Sequence, residues 1–60
     1  MKTIVEYLNE EHIRYELYNS NCARIFNTYQ YINMNELRKL CSKNKVEMHT
    51  GFGCFVIETI

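Results

Sequence analysis

The chain predicts an α+β fold: two helices packed on one face of a small, mainly antiparallel four-stranded sheet, in the order helix-strand-strand-helix-strand-strand. Three observations carry that expectation. Ile32-Asn33-Met34-Asn35-Glu36-Leu37 reads as a helix start, with a capping asparagine, a glutamate three positions later and apolar residues placed to form a staple across the cap. After His12 the apolar period switches to two, with Ile13, Tyr15 and Leu17 on one side and Arg14, Glu16 and Tyr18 on the other. Val46 to Glu58 is rich in strand formers and broken by Gly51-Phe52-Gly53, the pattern of a hairpin.

Each element follows in order. Thr3 and Glu6 have capping-box spacing, and Ile4, Val5, Tyr7 and Leu8 recur at helical intervals, so the first helix is expected over residues 3–11. The alternating segment from Ile13 to Tyr18 is a half-buried strand, and Asn19-Ser20-Asn21 supplies turn residues. Residues 23–31 are expected to form the second strand, with a short helix at 22–28 as the rival because Ile25-Phe26 blurs the phase. In the second helix Glu36 is expected to return a bond to the Asn33 backbone N–H. Leu37, Leu40 and Cys41 should face the sheet and Arg38, Lys39 and Lys43 water, with the helix stopping near Asn44. Strands over 46–50 and 54–58 complete the chain. The two halves share one plan, with Thr3…Glu6 matching Asn33…Glu36 thirty residues on, and Ile13-Arg14-Tyr15 matching Val46-Glu47-Met48 thirty-three on, at negligible residue identity.

At 60 residues the chain is a single small domain, residues 1–60, with little room for a deep cleft. Seven basic and seven acidic residues leave a formal net charge of zero, which argues against a protein whose main work is neutralising phosphates or an anionic membrane surface. No apolar run approaches the ~18 residues of a membrane span, and Glu6, Asn9, Glu10 and Glu11 interrupt any secretory core, so the expected location is the cytoplasm. Three widely spaced cysteines, Cys22, Cys41 and Cys54, fit reduced thiols better than a disulfide framework. Richness in Asn, Ile, Tyr, Lys and Glu is what an AT-rich gene encodes, pointing to a low-GC bacterium or one of its phages or plasmids.

No catalytic, cofactor or metal motif is legible. His49 and Cys54 flank Thr50-Gly51-Phe52-Gly53 and would be cross-strand neighbours if those four residues formed the hairpin loop, but the pair lacks an orienting third group. No Cys-x-x-Cys or His-x-x-x-His spacing accompanies it, so His49 and Cys54 are read as structural and the metal, cofactor and catalytic sets as none. Gly51-Phe52-Gly53 lies between strands rather than before a helix, which makes it turn chemistry and not a phosphate cradle.

The partner-binding candidates are Arg14, Tyr18, Tyr29, Tyr31, Arg38, Lys39, Lys43 and Phe52. Tyrosines on the first two strands are expected to project outward and anchor a protein contact, and Arg38, Lys39, Lys43 and Lys45 gather positive charge at the second helix. In the last strand Cys54 and Val56 share one parity and Phe55 and Ile57 the other, so a central position in the sheet, a second copy or another protein must cover the second face. The function this supports is a non-catalytic protein-interaction module of phage or mobile-element origin that modulates or inhibits a host protein, and the expected assembly is a homodimer. The alternative is a small nucleic-acid-binding regulator using Arg14, Arg24, Tyr29, Tyr31 and the basic end of the second helix.

Overall fold

The computed structural model describes all residues, 1–60. It has the expected order: α1 (Lys2–Glu10), β1 (Tyr15–Asn19), β2 (Cys22–Phe26), α2 (Met34–Lys43), β3 (Val46–Gly51) and β4 (Cys54–Thr59). The four strands form one antiparallel sheet in the order β1-β2-β4-β3. Ile4 and Leu8 of α1 and Leu37 and Cys41 of α2 meet Ile13, Ala23, Ile25, Val46 and Ile57 in a single core. Neither helix is long and apolar enough to cross a membrane.

The two halves are related by an approximate two-fold axis. Ile4 and Leu37, Leu8 and Cys41, and Ile13 and Val46 are three buried pairs that each stand 33 residues apart. In β2 and β4 the offset is one less, since Cys22 pairs with Glu58 while Phe26 pairs with Cys54, making Cys22 and Cys54 equivalent and placing the Arg24–Val56 pair on the axis. The missing residue is accounted for by a β-bulge: the β1–β2 register slips between Leu17 and Asn19, leaving Tyr18 as the extra residue. Sequence suggested the repeat but set the helix starts thirty residues apart. That offset is corrected here, because Thr3 lies inside α1 and Met1 takes the N-cap position with no side-chain bond.

The second cap forms largely as expected. Asn33 Oδ1 accepts the Glu36 backbone N–H at 3.2 Å, and Ile32 packs against the core that contains Leu37. The return bond differs, for the Asn33 side-chain amide donates to Glu36 Oε2 at 3.5 Å and leaves the Asn33 backbone N–H out of the exchange. Leu37 and Cys41 are buried, Leu40 is half-buried, and Arg38, Lys39 and Lys43 are exposed, which is the expected helix face. At the far end the Asn44 side-chain amide donates to the Leu40 carbonyl at 2.8 Å.

Two strand boundaries move. β1 begins at Tyr15 rather than Ile13, and Leu17, on Tyr15's side of an edge strand, is half exposed. β2 stops at Phe26, so Tyr29 and Tyr31 lie in the loop between β2 and α2, and no helix forms at 22–28. The cause is local. Gln30 Oε1 accepts the Arg14 backbone N–H at 2.9 Å and Gln30 Nε2 donates to the Arg14 carbonyl at 3.2 Å and to the Phe26 carbonyl, filling the ladder positions that a longer strand would use. The β3–β4 hairpin turns on Phe52-Gly53 alone, with Gly51 opposite Cys54. Gly53 has φ +64°, the left-handed region that the second position of such a turn reserves for glycine.

β4 lies between β2 and β3, so both of its edges are paired. The central position, one of the three ways to shelter its apolar residues, is present. Ile57 is buried against the helices, and Cys54 and Val56 are half-buried on the other face.

Candidate interaction surface

One end of the sheet gathers three of the sequence candidates. Arg14 precedes β1, Tyr29 follows β2, and Phe52 forms the tip of the β3–β4 hairpin. The Arg14 Nη2 donates to the Thr28 carbonyl at 2.6 Å, and the Asn27 backbone N–H donates to the Gly53 carbonyl at 3.1 Å. A Cβ added to Gly53 would stand 3.2 Å from the Thr28 hydroxyl, which shows how closely the hairpin tip approaches the loop. The result is a hydrogen-bonded end from which Tyr29 and Phe52 project into water.

Tyr29 is the most unusual residue of this end. Its φ is +61° and its side chain is 95 % exposed. A bulky residue in the left-handed region carries roughly 1–3 kcal/mol of strain, and here no packing of the ring offsets it. The strain is held from both sides, by the Arg14 guanidinium on Thr28 and by the Gln30 carboxamide on the Arg14 backbone. A shallow cavity of about 240 Å³, lined by Asn27, Gln30, Ile32, Met34 and Phe55, opens along the loop on the helix side.

The other candidates are elsewhere. Tyr31 is exposed in the loop that precedes α2. Burial, and next the Glu36 carboxylate, push the Tyr7 hydroxyl above its ordinary value. Arg38, Lys39 and Lys43 occupy the outer side of α2, where Lys39 and Lys43 join Tyr7, Glu36 and Leu40 around a groove between the helices. Tyr18, at the bulge, does not join the aromatic end. Its ring and that of Phe26 both lie against the Arg24 guanidinium, at 5.4 and 5.3 Å from the ring centres.

Arg24 anchors the sheet face opposite the helices. Its Nη2 donates to Glu16 Oε1 at 3.1 Å across β1 and β2, a bond that raises the guanidinium above its ordinary value. An arginine spread over Tyr18 and Phe26 covers part of the apolar surface that Cys54 and Val56 present there.

The same face corrects the reading of His49. A two-residue turn puts His49 opposite Val56 instead of Cys54. Its imidazole meets two carboxylates, with Nε2 at 3.3 Å from Glu47 Oε2 and 3.2 Å from Glu58 Oε1. Sequence reasoning missed this trio because it weighed His49 only in the register of a four-residue loop, opposite Cys54; with Thr50 and Gly51 both paired in β3, Glu58 stands opposite Glu47, on the face that Glu47 and His49 share. Against models of known families, curated proteins and solved structures, the chain gives no match.

Proposed function

We propose that this chain is a non-catalytic protein-binding module that docks through the end formed by Tyr29, Phe52 and Arg14, and that it modulates or inhibits its partner. The observation that carries the reading is Tyr29, held at φ +61° between two anchors with its ring in water. Strain of this kind gathers at ligand clamps, and a backbone held before binding leaves only the tyrosine side chain to be ordered when it enters a partner's pocket. Phe52, fully exposed on the hairpin tip next to the same loop, supplies a second anchor. Neutral overall charge suits such a contact.

The nucleic-acid reading draws less support. Arg14 and Arg24 each turn one guanidinium nitrogen, Nη2, inward on Thr28 and Glu16, while Arg38, Lys39 and Lys43 lie on a helix away from Tyr29. Three free cysteines suit the reducing cytoplasm in which we place the protein.

The test uses wild-type, Tyr29→Ala and Phe52→Ala proteins as baits in lysate of the source cell, with and without nuclease. The expected result is a partner that survives nuclease and is lost from both variants. A partner retained by both variants overturns the aromatic end, and one lost on nuclease treatment favours nucleic acid. Light scattering identifies a second copy as the partner if it returns twice the 7.3 kDa chain mass in the wild type and a single mass in the variants.

A further inference from the structure

We propose that Glu47, His49 and Glu58 form a binding site for a first-row divalent cation of the Zn²⁺ type, on the sheet face opposite the helices. The three ligand atoms, Glu47 Oε2, His49 Nε2 and Glu58 Oε1, all lie within 4.8 Å of one another. The two nitrogen-to-oxygen separations are 3.3 and 3.2 Å. Ligands bound 2.0–2.1 Å from a tetrahedral zinc ion stand about 3.3 Å apart, so two of the three edges of a zinc coordination face are already set. The third closes by rotation of exposed glutamate side chains.

A second observation points the same way. Glu47 and Glu58 are direct partners across β3 and β4, an arrangement of like charges that destabilises a sheet. Neither has a lysine or arginine within ion-pair distance; the nearest arginine on this face, Arg24, is held by Glu16, and the imidazole is the one basic group the two glutamates share. A divalent cation between them would replace repulsion with two coordinate bonds. Mixed imidazole and carboxylate donors suit zinc and its neighbours, whereas calcium and magnesium favour oxygen alone. All three side chains are about half exposed, so the ion keeps water in its remaining positions.

The site is separate from the aromatic end. Glu47 precedes Gly51 by four strand residues, about 13 Å at the rise of a β-strand, so the two can be lost independently.

Zn²⁺ is titrated into the full chain by calorimetry, in wild type, in Cys22→Ser/Cys54→Ser, in His49→Gln and in Glu58→Gln, with circular dichroism as the check on folding. The expected result is one ion per chain in the wild type and in the double cysteine variant. His49→Gln and Glu58→Gln should each bind at least ~10-fold more weakly, since even an outer partner of a metal ligand is typically worth 10–100-fold. Ring nitrogen resonances of His49 should move on titration of the wild type. Unchanged affinity in both ligand variants, loss of binding with the two cysteines, or no binding at millimolar Zn²⁺ each overturns the proposal.

Discussion

His12 and Lys45 are the same residue of two half-structures: each lies two positions past the end of its helix, each has positive φ, +56° and +55°, and each precedes a buried β-branched residue, Ile13 or Val46. At the end of α1 the His12 N–H donates to the Asn9 carbonyl at 3.2 Å and the Ile13 N–H to the Leu8 carbonyl at 2.8 Å. That is the Schellman arrangement, completed by the packing of Ile13 and Leu8 in one core. α2 keeps the first of these bonds, from the Lys45 N–H to the Ser42 carbonyl at 3.4 Å.

A left-handed position closing a helix is where glycine is most at ease, and neither half uses it. His12→Gly and Lys45→Gly should therefore each stabilise the domain by ~0.5–1 kcal/mol, read as a higher urea midpoint at unchanged slope. A lower midpoint in both would show that the side chains contribute more than the strain removes.

Leu37 and Leu40 separate the core from its margin. Leu37 is fully buried and Leu40 only in part. Leu37→Ala should cost ~2–5 kcal/mol, enough to unfold much of so small a domain, and Leu40→Ala distinctly less. Thermal denaturation gives the order directly, and a reversed order would mean that α2 is rotated from the orientation described.

Alkali should unfold the protein through two groups. Burial pushes the Cys41 thiol up, and burial followed by Glu36 pushes the Tyr7 hydroxyl up. Both are acids whose neutral form the fold favours, so the stability they contribute is whole below their ordinary values of 9.0 and 10.0 and is lost as pH rises through the raised folded values. Melting temperature should decline above pH 9, and Cys41→Ala should retain only the tyrosine's part of that decline. A pH-independent melting temperature through this range would refute the assignment.

Gln30 should matter more for dynamics than for contact. Removing its carboxamide in Gln30→Ala leaves the Arg14 N–H without its acceptor and frees one side of the Tyr29 loop. Amide exchange at Arg14 should speed by an order of magnitude or more, corresponding to ~1.4 kcal/mol or more of local opening, while the amides of Ile25 and Ile57 in the core strands keep their protection. Equal loss of protection everywhere would mean that the loop is part of the global folding unit.

Most of the architecture was legible because it rests on period and caps. Asn33 and Glu36 announced α2, and alternation around Tyr15 and again from Val46 announced the hairpins. What was illegible depends on tertiary partners. Nothing in residues 27–31 shows that Gln30 will bond to Arg14, sixteen positions earlier, and so end β2 at Phe26. Asn-rich turns are visible in sequence, but helix ends closed by His12 and Lys45 carry no glycine to mark them. The Glu47-His49-Glu58 trio hung on whether Thr50 and Gly51 belonged to strand or loop. The strain at Tyr29 has no signature in sequence at all, so the aromatic end could be named only residue by residue and not as a place.

The position of β4 has a consequence for how the domain is made. Fourth in order of synthesis, it is interior in the sheet, and the backbone bonds that join β2 to the β3 side of the sheet all pass through it. Before β4 joins, β1–β2 is a two-stranded hairpin backed by α1, and β3 has no strand to pair with. Closure of the sheet therefore requires β4. Zipping of β4 into the gap is completed by the Thr59 N–H on the Asn21 carbonyl and the Ile60 N–H on the Lys45 carbonyl, which tie the two half-structures together at its end. Without β4 the inner edge of β2 and both edges of β3 would be unpaired, so one strand carries the continuity of the whole sheet.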